Sequence, residues 1–323
     1  MGWTGVLGNI AVYARLLRRT KSAWRRSPPD AVVLIDCPGF NLRIARMAHS
    51  LGIPVYYYVC PQVWAWGSGR LLLMRRILRM AFPVLPFEEA LYRSFGIRVV
   101  YPGHPLREVV PSRFPARRTS LKRMGFDPAR PLVVMLPGSR DEEISRHLSV
   151  FLRAAVRLGL AGKAPQFAVV AAPGKAGRLR SMVAGAGVKV RVMEDPSYKL
   201  RACADLAWTA SGTSTLELGL MGIPQILVYR GGWINWLVAR IVIRVRHVGL
   251  VNLILGRSAV TEIIQWELRE GVLHDISRAM LRDKRAASDA AKTAAELDRR
   301  LSRKKASREV AASILSDLRG GRG

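Results

Sequence analysis

A chain of 323 residues, half of them hydrophobic, is long enough for two domains with separate cores and too apolar to be disordered. Its 52 Lys and Arg against 23 Asp and Glu leave a formal charge of +29, which points to an anionic membrane surface, to nucleic acid, or to an Arg-rich genome. The basic residues are scattered over many segments without a nucleic-acid-binding signature, so nucleic acid is set aside as a partner. Cys37, Cys60 and Cys203 lack Cys-x-x-Cys spacing and read as buried thiols in a reducing compartment, with no metal site. Residues 1–11 are apolar but lack the basic start and the cleavage site of a signal peptide. The apolar run at 236–255 is interrupted by Arg240, Arg244, Arg246 and His247, so no membrane span is expected.

In chain order, residues 2–26 read as an amphipathic helix carrying Leu7, Ile10, Leu16 and Leu17, with a basic end, broken by Ser27-Pro28-Pro29-Asp30. The continuous apolar run 31–35 suits a central parallel strand. Asp36 falls at its carboxyl end, where open α/β sheets place ligands. Pro38-Gly39 is expected to turn the chain, 41–50 to form a helix, and 55–59 the next strand, followed by Pro61-Gln62-Val63-Trp64-Ala65-Trp66. Within 70–80 a helical wheel puts Leu71, Leu73, Met74, Ile77 and Leu78 on one side and Arg75, Arg76 and Arg79 opposite, with Leu72 among the arginines. That pattern fits a surface helix over a core. With Trp64 and Trp66 just before it, the same pattern fits a membrane-surface element.

Strands are expected at 82–85 and 99–100 around a helix at 88–95, and prolines among arginines mark 107–118 as a connection between domains. A second alternating series follows. It has a strand at 133–136, a Pro137-Gly138-Ser139-Arg140 turn, a helix at 144–158, a strand at 167–171, a helix near Leu179, and strands at 189–193, 204–209 and 226–229. Residues 284–308 form a charged helical tail with alternating signs, which reads as a solvated face. Two βα series predict an α/β chain of two Rossmann-like domains facing across a cleft, the GT-B outline. The expected limits are 1–112, 113–300 and a charged tail at 301–323.

One stretch of the second series stands out: Ala210-Ser211-Gly212-Thr213-Ser214-Thr215-Leu216-Glu217. It ends an apolar strand and opens a helix at 215–221, with Ser211 or Thr213 as its cap. Free amides, small hydroxyls and a glycine at a helix start suit a diphosphate, and Glu217, about one turn in, is placed to grip a ribose diol. The same residues also suit an ordinary capped helix.

Several motifs together resemble the lipid-A-disaccharide synthase family. They are Ile35-Asp36-Cys37-Pro38-Gly39-Phe40-Asn41, the Pro61 to Trp66 run, Leu85-Pro86-Phe87-Glu88 and Gly103-His104-Pro105-Leu106. The second half adds Leu136 to Arg140, Ala210 to Glu217, and Asn252-Leu253 with Gly256-Arg257, all in the family's order. The resemblance implies an inverting glycosyltransferase with no cofactor. It would join UDP-2,3-diacylglucosamine to 2,3-diacylglucosamine 1-phosphate (lipid X) through a β-1,6 bond, at the cytoplasmic face of the inner membrane. Asp36 matches the family's general base, and Arg140 its diphosphate-binding arginine. Ser211, Gly212 and Thr213 would add hydroxyls and amides, and Glu217 the ribose contact. No Asp-x-Asp metal motif is present, so cations and amides are expected to neutralise the leaving group. Gln62, His104 and Asn252 are expected to line the cleft, and Trp64, Trp66, Arg75, Arg76 and Arg79 to face the membrane.

The family's opening strand and its Gly-Glu-x-Ser-Gly-Asp loop have no counterpart here, so the first domain is expected to be truncated, through a start codon placed too late, which is the preferred explanation, a genuine truncated paralogue, or a degraded gene. Two other readings follow: a non-catalytic lipid-binding remnant of the fold, or another UDP-sugar enzyme of GT-B form. The second of these is not expected to carry Pro61 to Trp66.

Overall fold

The computed structural model describes residues 10–64, 69–160, 164–231, 247–302 and 304–320. It divides into two units, Met1–Pro105 with Ser302–Gly323, and Leu106–Leu301. The tail expected at 301–323 therefore joins the first unit from Ser302 onward.

The first unit runs α1 (Ile10–Arg26), β1 (Val32–Ile35), α2 (Pro38–Ser50), β2 (Val55–Tyr58), α3 (Gly69–Ile77), β3 (Met80–Phe82) and α4 (Pro86–Ser94). The β-branched and aromatic residues of Val55-Tyr56-Tyr57-Tyr58 make β2 the middle strand of a parallel sheet ordered β1-β2-β3, and Val99 adds a single bridge to Ala81. Val55, Tyr57 and Ala81 share a core with Ala45 and Ala48 of α2, Leu71 and Met74 of α3, and Tyr92 of α4. The helix expected over 70–80 ends at Ile77, so Leu78 and Arg79 fall beyond it and Met80 opens β3; within α3 Leu71, Met74 and Ile77 are buried, while Leu72 lies out among the arginines.

Two expectations change here. The apolar run at 31–35 predicts a central strand, yet among the described strands β1 is at the edge, and Val33 and Ile35 are 45% and 58% exposed. A continuous apolar run reports strand character but not how many neighbours cover it. Pro38-Gly39 does not make the turn. Proline is favoured in the first turn of a helix because its missing N–H has no partner to lose there, and both residues sit inside α2. The bend moves back onto Asp36 and Cys37, whose φ angles of 52° and 47° are left-handed, and this turn leaves Cys37 exposed instead of buried.

Glu88 is fully buried at the start of α4 and accepts hydrogen bonds from the Leu85 amide (3.0 Å) and the Trp64 indole (2.8 Å). Burial outweighs these bonds and pushes its carboxyl up to about 7. A raised acid pKa means that the folded chain keeps a proton the unfolded chain has released. Stability therefore falls as pH rises from the ordinary glutamate range to about 7, by roughly 3 kcal/mol. Glu88→Gln should lose hydrogen-bond quality at every pH but flatten this slope. Melting temperatures measured from pH 5 to 8 check it, and parallel curves for the two proteins would rule out the titration.

The second unit contains α5 (Leu106–Val109), α6 (Arg117–Arg123), β4 (Leu132–Leu136), α7 (Asp141–Gly159), β5 (Gln166–Val170), α8 (Ala176–Val183) and β6 (Val190–Met193). It continues with β7 (Leu206–Ala210), α9 (Thr213–Leu220), β8 (Gln225–Tyr229), α10 (Leu250–Leu255), β9 (Thr261–Ile264), α11 (Glu270–Arg282) and α12 (Ala286–Arg300). Its six strands are parallel in the order β6-β5-β4-β7-β8-β9. This is the doubly wound pattern, with the unit's first strand central and later strands running out on both sides. Trp208 of β7 anchors one face, against Phe151 (5.5 Å) and Phe167 (6.2 Å), with its indole donating to Ser277 Oγ (2.9 Å).

After the second unit the chain returns to the first as α13 (Ala306–Gly320), which lays Val310 and Ile314 on Tyr56, Met80 and Phe82. Asp317 fixes it there, accepting from Tyr56 Oη (2.7 Å), Arg79 Nε (2.9 Å) and the Arg98 guanidinium. Burial alone would raise this carboxyl, but the bonds from Arg79, Tyr56 and Arg98 win and hold it at about 2. No helix among the described residues is long and apolar enough to cross a membrane.

Candidate functional site

Between β4 and β7 the second unit reverses its winding, and the crevice outside the carboxyl ends of such a strand pair is where open α/β sheets bind ligands. A cavity of about 470 Å³ opens there. Its walls include Gly138, Ser139, Arg140 and Glu143 after β4, Glu194 and Asp195 after β6, and Ser211 to Ser214 with Glu217 after β7. The structure thus brings Arg140, Ser211, Gly212, Thr213 and Glu217 into one pocket, as their places at strand ends suggested.

The β4 turn is tight because Gly138 adopts φ +113°, and a Cβ there would come within 2.7 Å of Glu143 Oε2. Glu143, in the first turn of α7, faces the Ser139 and Arg140 amides at 3.4 Å and accepts from Arg140 Nη1 at 2.9 Å. Arg140 is largely exposed, so its guanidinium remains free to turn toward an incoming anion.

At the β7 turn the expected cap is corrected. Gly212, not Ser211 or Thr213, takes the N-cap position of α9 and makes no side-chain cap bond. The helix starts at Thr213, two residues earlier than its leucine spacing indicated, and Thr215 Oγ1 bonds back to the Gly212 carbonyl at 2.8 Å. The first amides of α9 have no acceptor within the helix, and together with the two hydroxyls they form a donor cluster.

Glu217 lies one turn further along. Its Oε2 accepts from Arg201 Nη1 (2.6 Å) and its Oε1 from Tyr198 Oη (3.2 Å). Arg201 is itself fixed by Asp195, to Oδ2 through Nε (3.1 Å) and to the carbonyl through Nη2 (2.7 Å), and stacks over the Tyr198 ring at 4.0 Å. Asp195 also accepts the amides of Leu200 and Arg201, both at 3.0 Å. Burial first, and then the Glu217 carboxylate, raise the Tyr198 phenol, which therefore stays protonated as a donor. Sequence reasoning missed Asp195, Tyr198 and Arg201. Asp195 had a usable signal, its place just past a strand end, whereas nothing local marks Tyr198 or Arg201.

The remaining candidates lie elsewhere. Asp36 is exposed at the end of β1 in the first unit, and Gln62 is exposed after β2. His104 is buried, and burial pulls its imidazole down to about 4. Asn252 does not line the pocket. Its amide joins α10 to β9, donating to the Val260 carbonyl and Glu262 Oε1 and accepting the Ala259 and Val260 amides, all at 2.8 Å. Trp64 is half-buried, bonded to Glu88 and edge-on to Phe87 at 5.3 Å. Arg75 and Arg76 are exposed, Arg79 is paired with Asp317, and Trp66 lies outside the described residues.

A family model described as lipid-A-disaccharide synthetase matches residues 1–315. The lipid-A-disaccharide synthase of Anaeromyxobacter dehalogenans (strain 2CP-C) is 38% identical over 267 residues, covering 82% of this chain and 69% of its own. That of Myxococcus xanthus (strain DK1622) is 37% identical over 284 residues, covering 87% and 74%. Among solved structures, a putative UDP-N-acetylglucosamine 2-epimerase from Listeria monocytogenes matches with a TM-score of 0.65 at 12% identity, over 96% of this chain and 80% of that one. The UDP-GlcNAc 2-epimerase from Neisseria meningitidis, bound to UDP-GlcNAc, matches with a TM-score of 0.63 at 11% identity, over 94% and 81%. At such identities these two report the fold alone.

Proposed function

Since this chain belongs to the lipid-A-disaccharide synthase family, and is thus a hexosyltransferase of lipid A biosynthesis, we propose that its second unit holds the UDP of UDP-2,3-diacylglucosamine. On this reading Arg140 and the Ser211 to Thr213 turn take the diphosphate and Glu217 the ribose. One observation carries it: the cavity at the winding reversal puts a cation, a cluster of helix-start donors and a fixed carboxylate around one space. Asp36 in the first unit would take the proton from the acceptor hydroxyl of lipid X as it attacks the anomeric carbon. Arg140 and the α9 amides would meet the charge developing on departing UDP, where donors fixed in advance lower the barrier most.

The acylated substrates are taken from an anionic membrane surface, at the cytoplasmic face of the inner membrane. The support is the exposed surface of α1, α2 and α3, in which α1 and α3 both pack against α2. It carries Arg15, Arg18, Arg19, Lys21, Arg25 and Arg26 from α1, Arg43 and Arg46 from α2, and Arg75 and Arg76 from α3, with no acidic residue on any of the three. Val12, Leu16 and Leu72 are exposed among them. Cations attract the headgroup layer and apolar side chains enter it, without a spanning helix.

Both parts are tested together by presenting the two substrates in anionic vesicles. Disaccharide and UDP should form one for one, and only when both substrates are present. The protein should float with the vesicles at low salt and leave them near 1 M salt, where the screening length is only about 3 Å. UDP release without lipid X would sink the transfer reading. Equal flotation with neutral vesicles would sink the electrostatic one.

A further inference from the structure

The pocket in the second unit is walled by the turns following β4, β5, β6 and β7, and β7 separates β4 from β8 in the sheet. His147 of α7 reaches across. It is 2% exposed, with Nδ1 3.0 Å from the Pro137 carbonyl and Nε2 3.1 Å from the Arg230 amide. A backbone N–H can only donate and a carbonyl can only accept. The two contacts therefore fix one neutral tautomer, with the proton on Nδ1 and the lone pair of Nε2 facing Arg230. Glu143 stands one turn earlier on the same helix face and holds the Ser139 and Arg140 amides. Helix α7 thus fixes the β4 turn at two points and, through His147, ties it to the turn after β8.

We infer that His147 is a positioning residue for donor binding: as a neutral bridge it sets the β4 turn, and with it Arg140, against the turn after β8. The inference rests on the reading of Arg140 as a diphosphate ligand. His147 is buried and does not line the pocket, so its effect passes through the turn. Protonation would place a second N–H against the Arg230 amide, and two donors cannot bond. The charged groups around the ring are Glu143 and Arg146 on α7 and Arg230 after β8. Burial, the largest influence, keeps the imidazole below its ordinary range, so the bridge stays intact at neutral pH and fails only in acid.

The test is UDP titration by calorimetry from pH 5 to 8 on the wild type, His147→Ala, His147→Asn and Arg140→Ala, with melting curves to confirm folding. Asparagine keeps a donor near the Nδ1 position. At pH 7.5 His147→Ala should bind UDP about tenfold more weakly, the scale of one lost hydrogen bond, and His147→Asn should recover part of that loss. The wild type should lose affinity in acid more steeply than His147→Asn, a comparison in which protonation of UDP itself cancels. If Arg140→Ala weakens UDP but the His147 variants match the wild type at every pH, the positioning role is wrong and the donor site stands. If Arg140→Ala has no effect, the donor-site reading itself fails. Should His147→Ala not fold, the pH comparison with His147→Asn decides alone. Identical acid limbs there overturn the inference.

Discussion

Arg140→Ala should lower kcat/KM for disaccharide synthesis on the order of a hundredfold or more, with UDP binding weakened in parallel. The reason lies in what the pocket offers in place of that cation. The Ser211 to Thr213 turn supplies only neutral donors, and Arg201, the other guanidinium of the pocket, is committed to Asp195 and Glu217. Among the described residues Arg140 is restrained by Glu143, through an exposed ion pair three residues apart, which is worth little and yields readily to a doubly charged diphosphate. Arg140→Lys should recover charge but not the planar fork, and so fall between the two. Because the Ser139 and Arg140 amides reach Glu143 through the backbone, the alanine variant keeps the turn and should melt close to the wild type. Unchanged UDP affinity in Arg140→Ala, measured by calorimetry, would remove the diphosphate assignment.

Much of this pocket is legible in the amino-acid sequence. Pro137 to Arg140 and Ser211 to Thr213 follow continuous apolar runs, and in a parallel sheet such positions converge on one end of the strands. What could not be read was tertiary. The Glu217 carboxylate was visible as a position, but its orientation depends on Arg201 and Tyr198, which come from a different turn. The strand β9 and the helices α10 and α11 were not foreseen. Thr261-Glu262-Ile263-Ile264 has a polar start and pairs only at the edge, so its periodicity is weak, and Asn252 looked like a cleft residue because its four bonds are invisible in sequence. The charged pattern of the last helices suggested a solvated tail. A single aspartate, Asp317, and two buried apolar residues, Val310 and Ile314, packed on one side are enough to return α13 to the first unit, and alternating charge elsewhere on the helix masks them.

The backbone at Asp36 leads to the second large effect. Left-handed φ at two successive residues with side chains costs of order 1 kcal/mol or more each, and persists only where the surroundings enforce it. They do so here. The Asp36 amide bonds to the Tyr58 carbonyl at 3.1 Å, and its carbonyl accepts from Tyr57 Oη at 2.7 Å and Asn41 Nδ2 at 2.6 Å. Every backbone polar group of Asp36 is thus tied inward, and the exposed side chain is projected from the end of β1, an arrangement compatible with the base proposed above. Asp36→Asn keeps the shape and the left-handed tolerance and removes the basicity. It should lower kcat about a thousandfold while leaving the KM for lipid X and the UDP affinity within about threefold. Asp36→Gly should be equally inactive yet melt at a higher temperature, since glycine adopts positive φ without the strain. That pair of outcomes, loss of turnover with gain of stability, separates strain kept for catalysis from a carboxylate that serves the turn itself. In the latter case glycine would be active, or asparagine would melt well below the wild type.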